Sequence, residues 1–272
     1  MNAPERALSN EPRVNLAAFL LADKPAERTA FVTPERSLAY GALATCVRAA
    51  ASGLAARGID ERTRVLLMLE DDLELVVLFL ASLAVGAVPA ILSSRLDAKS
   101  LQAIVERAEP SVVFVADGND EPVRAATRGG GVRPEIVRVS RFVSGNGPSG
   151  VRATGFPGPD ADPAWDGFVP KDWEALSFLQ FTSGSSGEPK GVMHANRSAI
   201  AGCRMVARDL LAIRPDDIVY ATSKTFFGFG QGASILFPLF AGATAVLDPR
   251  WSRPDVAAEN IARFRPTMVF AV

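Results

Sequence analysis

Apolar runs and amphipathic segments alternate along the first half of the chain. Residues 65–69 form an uninterrupted apolar run, which is typical of a buried strand, and residues 73–85 have the length of a helix. The same order recurs with predicted strands at 88–92 and 111–116 and a helix between them that starts at Asp97. Strands that alternate with helices of this length favour parallel βαβ units. The pattern therefore predicts an α/β fold in which layered parallel or mixed β-sheets are flanked by helices.

The remaining predicted elements are shorter, and a change in composition divides them. Residues 144–172 are rich in glycine, proline and aspartate, so we interpret them as a linker between an N-terminal α/β subdomain, 1–143, and a second subdomain, 173–272. Residues 117–170 are predicted to form long surface loops with one strand at 136–139. Further helices are predicted at 14–21, 41–57, 196–211, 233–240 and 254–264, and further strands at 29–32, 176–181, 191–194, 216–220, 244–247 and 267–272. We expect strand 29–32 at a sheet edge and strand 267–272 in the buried core.

One stretch, residues 178–196, concentrates small and hydroxyl side chains directly after a predicted strand. It reads FLQFTSGSSGEPKGVMHAN. Small residues let a backbone approach a ligand closely, and successive N–H groups in such a loop attract anions. Hydroxyl donors and the charge of Lys190 would add to that attraction. The stretch predicts a polyphosphate site, whose candidate residues are Thr182, Ser183, Gly184, Ser185, Ser186, Gly187 and Lys190.

Other interpretations of this stretch are open. A Gly/Ser-rich surface hairpin without a ligand has the same composition. A Walker A loop is disfavoured, because Pro189 precedes Lys190 and Gly191 follows it, where that motif needs Gly-Lys-Ser/Thr. An amidase-type Ser-Ser-Lys site shares the Gly-Ser-Ser-Gly core, but the continuation from Glu188 to Lys190 does not fit such a site.

A second stretch, residues 222–232, alternates aromatic residues with glycine and reads TSKTFFGFGQG. This pattern favours a flat apolar ligand, because rings offer stacking surfaces and glycine permits close backbone approach. A helix start packed with core aromatic residues would have the same pattern. Residues 145–150 formally match G-x-G-x-x-G, but no apolar helix follows and prolines interrupt the context, so no dinucleotide site is expected there.

Composition excludes several functional classes. A formal net charge of −1 over 272 residues offers no basis for binding nucleic acid or an anionic membrane. Cys46 and Cys203 lie in apolar helical patterns, so we expect buried thiols in a reducing cytoplasm. His194 is the single histidine, which excludes a His-rich metal site within this chain. The longest apolar stretch, 73–92, is interrupted by a charge, a glycine and a proline, and the first residues are polar, so neither a membrane span nor a secretory signal is expected.

Residues 182–191 resemble the phosphate-binding loop of the adenylate-forming superfamily, which contains acyl-CoA synthetases, luciferases and peptide-synthetase adenylation domains. The family pattern is TSG-[ST]-TG-x-PKG, and the chain departs from it only at Ser186, which keeps the hydroxyl of the usual threonine. Residues 37–43 and 83–91 are similar to two earlier motifs of the superfamily and occur in the right order, although Ala42 replaces a glutamate. The resemblance implies the N-terminal part of the large domain of an adenylate-forming enzyme.

The resemblance also implies a reaction in two steps. A carboxylate would attack the α-phosphorus of ATP to give an acyl-adenylate and pyrophosphate, and CoA would then form a thioester and release AMP. Mg²⁺ would neutralise the phosphates with Thr182 as its protein ligand, and Lys190 would stabilise the leaving pyrophosphate. No general base is required, since a carboxylate is ionised at neutral pH. His194 would approach the substrate carboxylate, or it is an ordinary residue at a strand end.

Within the superfamily, residues 223–232 look most like the benzoate-type aryl-CoA ligases, which have a K-L-F-F-A-Y-G-L-G pattern here. This similarity implies an acid pocket at Phe227, Gly228 and Phe229, and benzoate or a related aromatic or cyclic carboxylate as the substrate. Gly228 stands where the family has alanine, so we expect slightly more room over the ring. An amino-acid-activating domain is an alternative, although residues 222–232 contain no acidic side chain for an ammonium group.

Superfamily members continue with adenine- and ribose-binding motifs, a hinge, and a small C-terminal domain that carries a lysine for adenylation. These parts would lie beyond Val272. We therefore expect an N-terminal fragment that cannot complete either half-reaction alone, and a C-terminal domain in the full-length protein. A remnant that binds a nucleotide or a partner without turnover is the alternative from a different functional class.

Overall fold

A computed structural model describes residues 13–128, 130–143, 161–183 and 188–272. Within these ranges the chain forms two β-sheets that are flanked by helices, which confirms the predicted α/β fold with mixed sheets. Residues 144–160 of the predicted linker, including the glycine-rich stretch 145–150, lie outside the described residues.

Strands and helices follow one another largely as the apolar pattern predicts. The described strands are β1 (Thr29–Val32), β2 (Ser37–Ala39), β3 (Arg64–Met68), β4 (Val88–Ile91), β5 (Val112–Ala116), β6 (Glu135–Val139), β7 (Leu176–Ser183), β8 (Pro189–Ala195), β9 (Ile218–Ala221), β10 (Thr244–Val246) and β11 (Met268–Phe270). The described helices are α1 (Leu16–Leu21), α2 (Tyr40–Ala56), α3 (Leu73–Ala84), α4 (Ala98–Ala108), α5 (Glu121–Thr127), α6 (Asn196–Gly202), α7 (Gly228–Gln231), α8 (Phe237–Ala241) and α9 (Pro254–Phe264). Two π-helical segments, Cys203–Leu210 and Gly232–Leu236, continue α6 and α7. None of the described helices combines the length and the apolarity that crossing a membrane requires.

The six-stranded sheet contains the predicted βαβ units in the order β6-β5-β3-β4-β7-β8. Its first five strands are parallel, and β8 returns antiparallel to β7. Helices cover parallel sheets on both faces, which explains why β3 and β4 are continuous apolar runs. The carboxyl ends of β3, β4 and β7 meet at one edge, where ligand sites of such sheets usually lie.

The five-stranded sheet has the order β11-β9-β10-β1-β2, with β2 antiparallel to β1 and the other pairs parallel. The expectation that residues 29–32 form an edge strand is wrong, because β1 lies between β10 and β2. The expectation that residues 267–272 form a buried strand is also wrong, since β11 is the opposite edge and Val269 is 46% exposed. Strand order depends on partners that are distant in the sequence, which local patterns do not specify.

Helix α3 belongs to the core that the two sheets share. Every residue of α3 is buried, as expected for a helix that is apolar all round. Phe31 of β1 and Phe114 of β5 belong to the same apolar cluster as α3. The carboxylate of Asp72 accepts the N–H of Leu73 at 2.8 Å and caps the start of the helix.

The predicted subdomains do not correspond to the two sheets. Each sheet takes strands from both sides of residues 144–172. The described end of that segment also packs on the core, because the N–H of Val169 donates to Ala84 O at 2.9 Å and that of Lys171 donates to Val14 O at 3.0 Å. The division into residues 1–143 and 173–272 therefore stays a prediction about folding units.

Two helices differ from the predicted pattern. Helix α5 lies within residues 117–170, which were expected to form loops with one strand. Only Val123 and Ala126 of this short helix are buried, too few for a helical period to be visible in the sequence. The helix predicted at 233–240 begins earlier, at Gly228, and passes through a π-helical segment.

A buried ion pair joins the start of α3 to two neighbouring loops. The guanidinium of Arg36 donates to both carboxylate oxygens of Glu74, at 2.8 and 2.7 Å. One of these oxygens also accepts the backbone N–H groups of Phe142 and Val143, at 3.2 and 3.1 Å. Glu74 is only 6% exposed, and the hydrogen bonds compensate for the burial of its charge.

Both cysteines are buried free thiols, as predicted. Burial raises the pKa of Cys46 to about 11 and that of Cys203 to about 12. The thiolate is the reactive form, so we expect neither residue to be alkylated by iodoacetamide in the native protein at about pH 8. Peptide mass spectrometry after alkylation, with and without guanidinium, measures this. Modification of either thiol under native conditions would contradict the buried positions.

Candidate functional site

Strands β7 and β8 form a hairpin, and the predicted phosphate residues lie at its loop end. Thr182 lies opposite Lys190, and Ser183 lies opposite Pro189. Strand β7 pairs with β4 in parallel, so the loop end of the hairpin lies at the carboxyl edge of the parallel strands. The residues that connect the two strands lie outside the described part of the chain, and these are Gly184, Ser185, Ser186 and Gly187. The structure thus brings Thr182 and Lys190 together, while the roles of the connecting residues stay predictions.

The side chain of Lys190 is exposed at this end of the hairpin. Glu188, two residues earlier, pairs instead with Arg107 in the last turn of α4, with an N–O distance of 2.6 Å. Among the residues that the structure describes, no carboxylate forms an ion pair with Lys190. Its ammonium group is therefore available to an anionic ligand, as a phosphate contact requires.

A magnesium ion would find few protein ligands at this hairpin. The Thr182 side chain is exposed, and the described ranges contain no group of three or more His, Cys, Asp or Glu side chains that could hold a metal. Mg²⁺ commonly keeps several waters and binds through substrate phosphates and one or two protein oxygens. These residues fit a magnesium ion that arrives with a nucleotide, with the Thr182 hydroxyl as its contact to the protein.

The aromatic segment, residues 222–232, leads from β9 into α7. The N–H of Phe227 donates to Lys224 O at 3.1 Å and closes a turn just before the helix. Phe227 and Phe229 are 52% and 46% exposed. Their rings are therefore not core residues of the described chain, and they are accessible to an apolar ligand.

Gly228 does not open space over a ring in the way the sequence suggested. A Cβ atom at this position would lie 2.6 Å from Gln180 Oε1, so the amide of Gln180 occupies the place of a methyl group. The same amide donates from Nε2 to Gln231 Oε1 at 2.9 Å. Gln180 and Gln231 are 8% and 2% exposed, and they connect β7 to the aromatic segment.

A cavity of about 330 Å³ lies between the hairpin and the aromatic segment. Thr182 lines it from the hairpin, and Phe226 and Phe227 line it from the aromatic segment. The guanidinium of Arg95 lies 4.5 Å from the ring centroid of Trp251, and both residues contribute to the wall. The volume is within the range of small-molecule sites. The cavity therefore connects the predicted phosphate site to one of the predicted acid-pocket residues, whereas Gly228 and Phe229 do not line it.

His194 lies on β8 and also does not line this cavity. Its ring stacks on Phe178 with 4.6 Å between the centroids, and its Nε2 atom is buried without a hydrogen-bond partner among the described residues. Burial lowers the pKa of His194, so the imidazole is neutral at pH 7. Its part in an acid pocket stays a prediction.

Three polar residues near the site have no role among the predictions from the sequence, and these are Gln180, Asp71 and Lys224. Asp71 and Lys224 form a buried ion pair with an N–O distance of 3.3 Å. Burial raises the pKa of Asp71, and the charge of Lys224 opposes this effect. Two signals were present in the sequence. Two aspartates precede α3 although one is enough to cap it, and Lys224 lies in a segment that contains no acidic side chain to pair with it.

Gly230 permits a close backbone contact inside the aromatic segment. A Cβ atom there would lie 2.0 Å from Lys224 O and 2.7 Å from Ser223 O. Because neither backbone oxygen can move freely, Gly230→Ala is expected to destabilise the protein by about 1–3 kcal/mol or more. Gly202→Ala is the matched control, since a Cβ atom at Gly202 meets nothing within 4 Å. We expect the control to change stability by about 1 kcal/mol or less. Urea unfolding measures both, and equal midpoints would contradict the close contact.

Comparison with known proteins identifies the family of this chain. A family model for AMP-binding enzymes matches residues 20–272. The anthranilate–CoA ligase of Pseudomonas aeruginosa is 37% identical over 217 residues, which cover 80% of this chain and 40% of that protein. The 3-hydroxybenzoate–CoA/4-hydroxybenzoate–CoA ligase of Thauera aromatica is 28% identical over 263 residues, which cover 92% of this chain and 47% of that protein. The chain thus spans about half the length of the curated relatives it matches.

Solved structures have the same fold. The anthranilate CoA ligase AuaEII in complex with anthranoyl-AMP aligns with a TM-score of 0.84 and 23% identity, over 96% of this chain and 50% of that chain. A benzoate CoA ligase from Burkholderia xenovorans LB400 aligns with a TM-score of 0.80 and 24% identity, over 94% of this chain and 50% of that chain. Since the family model covers residues 20–272, the chain belongs to the AMP-binding enzyme family, as the resemblance of its phosphate loop predicted.

Proposed function

We propose that the full-length protein is an AMP-forming acid–CoA ligase for benzoate or a related aromatic carboxylate. The relatives described above are named as ligases that join CoA to anthranilate or hydroxybenzoate. One observation carries the proposal: Thr182 of the phosphate hairpin and Phe227 of the aromatic segment line the same cavity. A phosphate group and an aromatic ring can therefore bind next to each other, as the joining of an acid to ATP requires.

In the first step, an oxygen of the ionised acid attacks the α-phosphorus of ATP, and pyrophosphate leaves with the electron pair of the broken P–O bond. Lys190 and the N–H groups of the connecting loop bind the β- and γ-phosphates and stabilise the charge that develops on the leaving group. The hydroxyl of Thr182 would hold a Mg²⁺ ion, which when bound would neutralise part of the phosphate charge. No side chain has to remove a proton, because the acid is already ionised at neutral pH.

In the second step, the thiolate of CoA attacks the acyl carbon of the adenylate. The bond to the AMP oxygen breaks, and the products are a thioester and AMP. The rings of Phe227 and Phe229 hold the aromatic group of the acid through stacking and edge contacts. We propose His194 as a hydrogen-bonding group for the acid, because its buried Nε2 atom has no partner among the described residues, although it does not line the cavity described above.

The cytoplasm is the proposed compartment for this reaction. ATP and CoA are its co-substrates, and the two buried free thiols suit a reducing environment. No nucleic acid or membrane takes part in the proposed reaction, whose organic substrate is a small carboxylic acid.

A substrate panel tests the proposal with the full-length protein. The panel contains benzoate, amino- and hydroxybenzoates, cyclohexanecarboxylate, linear acids with as many carbons, and amino acids. We expect AMP and a CoA thioester to form with the aromatic acids and more slowly with the linear acids. Preference for amino acids would favour an amino-acid-activating enzyme. Binding of ATP without release of AMP for any acid would favour a non-catalytic remnant.

A further inference from the structure

Asp71 and Lys224 form an ion pair that links the two sheets. Asp71 follows β3 of the six-stranded sheet, and Lys224 follows β9 of the five-stranded sheet. The two residues are only 7% and 6% exposed, and Lys224 Nζ lies 3.3 Å from Asp71 Oδ2. The pair therefore connects the carboxyl ends of two strands, where open sheets gather their functional groups.

Hydrogen bonds saturate both charged groups. Lys224 Nζ also donates to the backbone oxygens of Asp248 and Arg250, at 2.8 and 3.1 Å, so its three N–H groups have three acceptors. Asp71 also accepts the backbone N–H of Thr225 at 3.2 Å and the hydroxyl of Thr225. A buried polar network with all its partners present is rigid and favours a single arrangement.

This arrangement determines where the aromatic segment begins. Lys224 and Thr225 form the first half of the turn that Phe227 closes, and α7 starts at the next residue. Asp71 holds that turn from the sheet that also contains the phosphate hairpin. A second contact between the aromatic segment and the six-stranded sheet is the hydrogen bond between Gln180 and Gln231, at the other end of the segment. Both ends of the aromatic segment are thus held to the six-stranded sheet, which contains the hairpin.

The charges of a buried ion pair are often not required for a stable fold. Taking two charges out of water costs about as much as their attraction returns, and apolar residues of similar size often stabilise a protein equally well or better. The hydrogen bonds of this ion pair instead fix the orientation of the turn from Lys224 to Phe227. The orientation of this turn therefore affects the position of Phe227 relative to the β7–β8 hairpin.

We propose that Asp71 and Lys224 are positioning residues for the acid substrate, because their pair sets the place of Phe227 relative to the phosphate hairpin. The inference rests on the proposed ligase function. It assigns no direct contact with a substrate to either residue. We therefore expect loss of the ion pair to raise KM for the acid more than KM for ATP.

The test compares two carboxylates at the start of α3 in the full-length protein. Asp71→Asn removes the charge that holds the aromatic segment, and we expect KM for the best aromatic acid to rise about tenfold or more while KM for ATP changes by less than about twofold. Glu74→Gln is the matched control. It removes an equally buried carboxylate of an ion pair, whose partners are Arg36, Phe142 and Val143 and not the aromatic segment. We expect it to leave KM for the acid within about twofold.

A second variant separates positioning from stability. Asp71→Leu combined with Lys224→Met removes both charges, and we expect a melting temperature near that of the wild type but a raised KM for the acid. A wild-type KM in this double variant, or equal KM changes in Asp71→Asn and Glu74→Gln, would overturn the inference. Failure of the proposed function would give a different result, because the wild type itself would then release no AMP with any acid. That result would contradict both proposals.

Discussion

Glu74→Ala is expected to destabilise the protein by about 2 kcal/mol or more, because the buried guanidinium of Arg36 loses both oxygens of Glu74 and keeps only Asp72, 2.6 Å away, as a carboxylate partner. Two guanidinium nitrogens of Arg36 lie 2.8 and 2.7 Å from the two oxygens of Glu74. The backbone N–H groups of Phe142 and Val143 would lose their acceptor as well. Each unpaired buried donor adds its own desolvation cost. Chemical denaturation monitored by circular dichroism measures the change in the free energy of unfolding.

Glu259→Ala is the control for this prediction. Glu259 also belongs to a helix and pairs with an arginine, Arg250, at 2.7 Å, but its side chain is 51% exposed. Exposed ion pairs contribute about 1 kcal/mol or less, so we expect a change of that size or smaller. Similar losses of stability in the two variants would show that the burial of Glu74 does not determine its contribution.

Lys190→Ala is expected to reduce kcat/KM for adenylation in the full-length protein by roughly 10- to 150-fold. The estimate follows from the loss of one charge-assisted hydrogen bond to a phosphate, which is worth about 1.5–3 kcal/mol. The exposed position of Lys190 opposite Thr182 makes its ammonium available for this contact. Acid-dependent AMP release measures the effect, and the melting temperature should stay close to that of the wild type.

Arg62→Ala serves as the control for Lys190→Ala. Arg62 is also exposed, and it lies just before β3, at the amino edge of the same sheet. The Arg62→Ala variant removes the same charge at the opposite edge of the sheet. Long-range electrostatic effects would therefore appear in both variants, whereas the loss of a direct phosphate contact would appear only in Lys190→Ala. Equal losses in the two variants, or unchanged kinetics in Lys190→Ala, would remove the assigned role of Lys190.

Elements with strong local signals were predicted well from the sequence. Strands β3 and β4 and helix α3 between them follow the apolar pattern to within about two residues, since burial on all sides requires continuous apolar sequence. The place of β1 was not predicted, because its partner β10 lies on the far side of the chain. Helix α5 was missed because it buries only two side chains.

The candidate site shows the same division between local and distant contacts. A strand, a short loop and a second strand put Thr182 opposite Lys190, so this pair could be predicted from neighbouring residues. The contacts of Asp71 with Lys224, and of Gln180 with Gln231, depend on how the two sheets pack, and no local pattern encodes that packing. The prediction of extra room at Gly228 was wrong for the same reason. The space is filled by the amide of Gln180 on β7, which is distant from Gly228 in the sequence.

The exchange of labelled pyrophosphate into ATP by the full-length protein tests the central claim most directly, because it reports adenylation without requiring CoA. We predict exchange that depends on an aromatic carboxylate, is weak with linear acids, and falls strongly in Lys190→Ala. Exchange that no carboxylate supports would contradict the proposed ligase. Exchange that is insensitive to Lys190 would contradict the assignment of the hairpin as the phosphate site.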